Sequence, residues 1–208
     1  LKEKMKRRKI ASVEAIDFGC DTNCYRFSDS TLRKENVIAC YCRTATERRV
    51  SELCLHAFSI LHEKGQDFHV DLFGDSDLRK NFSFSHANLG VLPPEALGIL
   101  YQECTLGVVF SATNISLIPL EMMACGLPVL ELDVEGTRHA FPKGVVSLAK
   151  PDPEAIADAL ERLLDDKEAR RAQSDQALAY ARKTSWEKSA RKLESAVRKT
   201  LSGKGANP

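Results

Sequence analysis

Net charge is the first thing this chain has little of: 30 basic against 29 acidic residues leave +1, too weak a field to recruit nucleic acid. It also lacks any run of about eighteen apolar residues, so nothing in it reads as a membrane-spanning helix, and its first residues are charged where a signal peptide needs an apolar core. Cys20, Cys24, Cys40, Cys42, Cys54, Cys104 and Cys125 include no C-x-x-C pair, so they form no zinc or redox motif. Several lie in apolar runs, where a thiol behaves as a small hydrophobe, and reduced, buried thiols in a cytoplasmic protein are the expectation. His56, His62, His69, His86 and His139 lack metal-site spacing, so no metal is expected. Internal repeats are absent. What is present is ordinary globular composition, 43% hydrophobic and 28% charged. The local exception is Lys2 to Lys9, with six Lys or Arg in eight positions. A solvated helix end or linker explains such a run; peripheral membrane or partner contact is the alternative.

Residues 1–35 are polar and rich in turn formers, and read as a linker or the tail of a missing N-terminal domain. From Asn36 the chain alternates regularly. Val37 to Tyr41 suits a buried strand, Val50 to Lys64 carries apolar residues at helical spacing, and Phe68 to Phe73 is β-rich and stops at Gly74. Leu89 to Leu92 leads into Pro93-Pro94-Glu95, a helix start, and that helix runs to about Cys104. Leu106 to Phe110 is a second buried-strand run. Leu117 to Cys125 reads as a helix closed by Gly126, with the strand Val129 to Leu132 directly after it. Strands alternating with helices imply a Rossmann-like α/β fold, a parallel sheet flanked by helices on both faces. We place this domain at residues 36–166, with C-terminal helices over 167–201 and a disordered tail at 202–208.

Ligands of such sheets bind at the C-terminal ends of the strands, and two segments there are chemically unusual. The loop Cys42 to Arg49 sets Arg43, Arg48 and Arg49 at the opening of a helix, where free N–H groups already favour an anion. Guanidinium groups match phosphate oxygens bidentately; solvated arginines at a charged helix end are the plainer reading. Arginines there oppose the helix dipole, and an anionic ligand would offset that. The second segment, Ser111 to Val129, leaves a strand, makes a polar loop and enters a helix near Leu117. Glu121 sits one turn inside, among apolar residues, where a lone carboxylate needs a hydrogen-bonding partner. A ribose diol is one candidate; a backbone or Arg partner is the other.

These residues resemble the donor-site signature of the retaining, two-domain glycosyltransferases of group 1, whose GT-B architecture pairs two Rossmann-like halves. Glu121, Met123, Ala124, Gly126, Pro128 and Val129 match the second half of that signature, and Arg43 with Arg49 (or Arg48) is similar to the family's phosphate loop. Gly19-Cys20-Asp21-Thr22, Asn88 to Tyr101, Pro153 to Lys167 and Trp186-Glu187 follow in family order, so the resemblance spans about residues 17–201. It implies the donor-binding half of a transferase. Arg43 and Arg49 would neutralise the diphosphate leaving group, the backbone near Ser116 and Leu117 would bind phosphate oxygens, Glu121 would accept from the ribose, and Leu92 would border the base. Thr113 stands where the family's first Glu meets the sugar, and Asn114 and Ser116 replace glycines. Threonine can hydrogen-bond a hydroxyl but carries no charge. Pro119, two residues before Glu121, is similar to certain bacterial rhamnosyltransferases, so the sugar implied is a hexose or a deoxyhexose, the latter being the pointer from that likeness. His139 falls near the sugar region. The resemblance implies no cofactor beyond a nucleotide-diphosphate sugar donor, a glycan or lipid-linked acceptor, a role in polysaccharide biosynthesis, and an N-terminal half from which this chain has been separated. A non-catalytic nucleotide-binding or interaction module on the same fold is the alternative.

Overall fold

The computed structural model describes residues 14–78 and 81–204. The basic run Lys2 to Lys9 lies outside them, as do residues 205–208 of the expected tail. Six parallel strands form one sheet: β1 Val37–Tyr41, β2 His69–Phe73, β3 Ser85–Asn88, β4 Leu106–Val108, β5 Val129–Leu132 and β6 Ser147–Ala149, in the order β3-β2-β1-β4-β5-β6. Between and after them run α1 Ser51–Glu63, α2 Pro94–Glu103, α3 Ile118–Ala124, α4 Glu135–Ala140, α5 Pro153–Asp165, α6 Lys167–Ala181 and α7 Trp186–Lys204. None of these helices is long and apolar enough to cross a membrane.

The central strands are apolar on both faces because both faces are covered. Ile38 and Cys40 of β1 join a core with Leu55, Phe58 and Leu61 of α1 and Ile156 and Leu160 of α5. Ala39 turns the other way, toward Tyr101 of α2, Met122 and Met123 of α3 and Ala177 of α6. Burying side chains such as Phe58 and Leu61 completely contributes about 1.5–3 kcal/mol each. Helix starts follow local chemistry: Asp152 accepts the Ala155 N–H at 2.9 Å ahead of Pro153, and Asp166 accepts the Ala169 N–H at 2.8 Å.

Three elements escape the sequence pattern. β3 is Ser-His-Ala-Asn, an edge strand paired only to β2 and too polar to stand out. β6 is the opposite edge, and α4 is a six-residue helix without a clear apolar stripe.

The expected linker is different in kind. Within its described part, Cys20 and Tyr25 are buried, and Tyr25 stacks on Tyr101 with ring centroids 6.0 Å apart. The Arg33 guanidinium donates to the carbonyls of Tyr101, Cys104 and Cys125 at 2.9, 2.7 and 3.0 Å, satisfying the C-terminal ends of α2 and α3. A Cβ on Gly19 would lie 2.2 Å from the Trp186 nitrogen, so this segment is packed into the domain. α7 continues to Lys204, which corrects the expected tail at its first residues.

Gly126 closes α3 with φ +70°, and Leu127 N–H reaches back to the Met122 carbonyl at 3.0 Å. A Cβ there would also meet the Phe27 ring at 2.6 Å. Gly126→Ala is therefore expected to destabilise the domain by about 1–2 kcal/mol, read as a lowered midpoint in thermal denaturation; an unchanged midpoint would contradict this.

Candidate functional site

In this strand order the chain steps outward from β1 through β2 and β3, then returns to lay β4 on the other side of β1. The loops after β1 and β4 therefore diverge above adjacent strands, which is where open α/β sheets hold ligands. Both unusual segments of the sequence arrive at this point. The Ala112 N–H donates to the Arg48 carbonyl at 2.9 Å, and Arg48 Nη1 donates to Asn114 Oδ1 at 2.8 Å. Arg49 Nη2 reaches Ser116 Oγ at 3.3 Å and Nη1 the Phe110 carbonyl at 3.5 Å. The arginine loop and the start of α3 thus form one cluster.

Arg49 is turned inward by its own backbone. Glu47–Arg49 forms a short 3₁₀ turn that ends at Val50 with φ 43° and ψ 41°, a left-handed conformation unusual for a β-branched residue. Such a conformation costs on the order of 1–3 kcal/mol and survives only where surroundings enforce it. The result is an arginine only 7% exposed, its Cζ 4.9 Å from the Tyr41 ring centroid and its Nε without a hydrogen-bond partner among the described residues. Burial, and then Arg48, lower the Arg49 pKa, while Tyr41 and Glu131 oppose the shift. Two long bonds and one free N–H leave this cation only partly satisfied.

Arg43 lies at the exposed mouth of the same loop. Its N–H donates to Ser51 Oγ at 3.1 Å, and its charge reaches Arg49 and Asp75. Asp75, after β2, accepts from the Thr44 N–H at 3.1 Å and hydroxyl at 2.5 Å and so pins the loop. These bonds, the hydroxyl first, hold the Asp75 carboxyl below its usual range. Thr113 and Asn114 are exposed, with the Thr113 hydroxyl 3.4 Å from Asn114 Oδ1. Ser116 is buried and its Oγ accepts the Ile118 N–H at 3.4 Å; Leu117 is half-buried beside it.

Glu121 occupies the fourth position of α3, half-buried. Its carboxylate has no hydrogen-bond partner among the described residues, and no Arg bridges to it. Burial alone pushes its pKa from 4.5 to about 7. Its neighbours are Tyr25, Tyr101, Cys20 and Cys125, whose pKa values rise through their own burial and, in part, through its charge. The Tyr101 hydroxyl is buried without a partner. Leu92, half-buried ahead of α2, sits on this same side of the molecule, against the core that contains Tyr101. The expected site residues therefore fall into an arginine–serine cluster over the β1–β4 junction and a carboxylate patch against α2. His139 is on α4, with Nδ1 2.7 Å from the Glu135 carbonyl of its own helix.

Sequence reasoning passed over Glu131. It lies within β5 at 2% exposure, and among the described residues its Oε2 accepts only the Leu132 N–H, at 3.3 Å. Burial raises its pKa to about 8, against the pull of that N–H and of Arg49. The available signal was a charge inside an otherwise apolar strand. Among the described residues no group of three or more His, Cys, Asp or Glu side chains is placed to hold a metal ion.

The sequence profile of the family described as "Glycosyl transferases group 1" matches residues 25–180. The chain is 36% identical over 123 residues to the O-antigen biosynthesis protein RfbC of Myxococcus xanthus, a match covering 58% of this chain and 9% of that protein. Its fold superposes on the sucrose-phosphate synthase of Thermosynechococcus elongatus with TM-score 0.76 at 19% identity, over 97% of this chain and 57% of that one. It also superposes on Anabaena HepE, solved in complex with UDP-glucose, with TM-score 0.73 at 16% identity, over 91% of this chain and 57% of that one. The chain thus corresponds to about half the length of these structures and a smaller part of the curated relative.

Proposed function

This chain belongs to the group 1 glycosyltransferases, and on that premise we propose that it is the donor-binding half of an enzyme transferring a sugar from a nucleoside diphosphate. The observation that carries this reading is Arg49, a buried guanidinium with an unpartnered Nε set between the two loops of the β1–β4 junction. Its weak bonds to Ser116 and Phe110 can be exchanged for phosphate oxygens, which offer charge and bidentate geometry. Arg48 would release Asn114 in the same way, and Arg43 would meet the diphosphate from the mouth. Stabilising negative charge on a departing diphosphate is the electrostatic work such a transfer needs, and here cationic side chains supply it where other enzymes use a metal.

Glu121 would accept from the ribose hydroxyls, which explains a half-buried carboxylate without a protein partner. Leu92 would border the base, and Thr113 and Asn114 the sugar. The acceptor, a glycan or lipid-linked chain, would be held by an N-terminal half that closes over this face. Likeness to an O-antigen biosynthesis protein supports polysaccharide synthesis as the setting, and we place the enzyme in the cytoplasm. Thr113 favours a second reading, a non-catalytic nucleotide-binding module, because an exposed hydroxyl replaces a charged sugar contact.

A thermal-shift screen with UDP, GDP, dTDP and ADP tests the donor site. One of the four is expected to raise the melting midpoint, and no shift with any of them would refute the reading. This chain alone is expected to transfer no sugar, since both substrates must be positioned before chemistry proceeds; measured transfer would place the remaining groups within these 208 residues.

A further inference from the structure

Glu131 has no evident use in the core. Its strand-mates Val129, Leu130 and Leu132 are apolar, and another apolar side chain would fill the place without the penalty of burying a carboxyl. The register locates it. Val108 pairs with Leu130, and the Val109 N–H bonds the Leu130 carbonyl at 3.3 Å, so Glu131 stands beside the outgoing end of β4. The next residue after Val109, past the end of β4, is Phe110, whose carbonyl receives Arg49. Alternation puts Glu131 on the Val129 face of the sheet, the side to which Tyr41 beneath Arg49 also belongs.

A guanidinium and a carboxyl are thus buried near one another, in residues 7% and 2% exposed, with no direct ion pair between them. Each is left short of partners: Arg49 has a free Nε, and Glu131 one backbone N–H. The groups facing Glu131 are Arg49 from the 3₁₀ turn, Val109 just past the end of β4 and Leu148, its register partner, from β6. Tyr41, Arg48 and Arg43 bear on Arg49 in turn, and Arg49 is the charged side chain acting on Glu131.

We propose that Glu131 is a positioning residue for Arg49: when ionised, its carboxylate holds the guanidinium as a countercharge and gives it up when a nucleoside diphosphate binds, so that the ionised form takes up one solvent proton as the phosphates arrive. This rests on the donor-site reading above. The balance is simple: no covalent bond changes, Arg49 stays charged, and the proton entering from water restores neutrality to the buried carboxyl. Below its midpoint near pH 8 the carboxyl is already protonated and binding needs no proton. Above it, the ionised carboxylate competes with phosphate for Arg49, so affinity falls as pH rises. Glutamine keeps the shape and the acceptor oxygen but cannot ionise.

The test is isothermal titration of the chain and of Glu131→Gln with UDP from pH 7.5 to 9.5, in two buffers of different ionisation heat. The unmodified chain should lose about 25-fold in affinity across this range relative to the variant, and at pH 8.5 it should take up protons on binding while the variant takes up none. Comparison with the variant removes the titration of the nucleotide itself. UDP binding with the same pH profile and proton uptake in both proteins would overturn the proposal and leave the donor site standing. Absence of binding in both proteins, with UDP and then with GDP, dTDP and ADP in its place, would remove the donor reading and this inference together. Should the variant fail to fold, carbon-13 NMR of the Glu131 carboxyl in the unmodified chain decides. Added UDP must move its titration midpoint upward, and an unmoved midpoint under bound UDP would overturn the proposal.

Discussion

Arg49→Met is expected to weaken nucleoside diphosphate binding by about 30- to 100-fold while leaving the melting midpoint within a few degrees. A charge-assisted hydrogen bond contributes about 1.5–3 kcal/mol, and each factor of ten in affinity corresponds to about 1.4 kcal/mol. The stability side is different because the guanidinium is poorly rewarded in the fold. Its two bonds are long, at 3.3 and 3.5 Å, its Nε is unpartnered, and its contact with the Tyr41 ring is worth about 0.5–2 kcal/mol. Against these stands the release of a buried charge, which apolar replacements of similar volume often recover. Glu131, with a midpoint near pH 8, is mostly protonated at neutral pH and is not stranded as an unpaired ion. Arg43→Met supplies the contrast: that side chain is exposed at the loop mouth, so its loss should reduce affinity only about threefold to fivefold, within the range of a screened surface charge. Calorimetry and thermal melts on the two variants measure both quantities. Equal binding losses at both positions, or an Arg49→Met protein that binds normally, would sink the assignment of Arg49 as the principal phosphate group.

The pattern of agreement has physical causes. β1 and β5 were legible to the residue because a strand buried on both faces reads as a near-continuous apolar run. β3 and β6 were not, since an edge strand can be as polar as Ser-His-Ala-Asn and take its stability from pairing with a neighbour. The segment around Cys20, Tyr25 and Arg33 was misread for a related reason: its contacts are single anchors without periodicity, and Arg33 acts through carbonyls 68 to 92 residues away. At the site, the meeting of the arginine loop with Ser116 could be anticipated from strand alternation, because it depends on β4 lying beside β1. The unequal burial of Arg43 and Arg49 could not. It arises from a left-handed Val50, a conformation that a β-branched residue gives no sign of adopting. Glu131 was hidden by the rule that found β5, which weighs the run and not the exception inside it.

Glu121→Gln should move binding and stability in opposite directions. A hydrogen bond from a ribose hydroxyl to a carboxylate is charge-assisted, so replacing the carboxylate with a neutral amide should lower nucleotide affinity at least tenfold, about 1.5–3 kcal/mol. Burial holds the Glu121 carboxyl near 7 in the fold against 4.5 when solvated. A carboxyl whose folded value is raised binds its proton more tightly in the native state, so ionisation destabilises the fold. That penalty is absent below pH 4.5, grows between 4.5 and 7, and is complete above 7. Glutamine carries none of it at any pH. The variant should therefore melt close to the unmodified protein at pH 5 and above it at pH 8, by roughly 2–4 °C per kcal/mol for a domain of this size. A structural carboxylate predicts the reverse. If Glu121 held a backbone or arginine partner, the amide would lower the midpoint at pH 8 and leave affinity intact. One variant measured at two pH values, with and without nucleotide, separates a ligand-facing carboxylate from one that serves the fold.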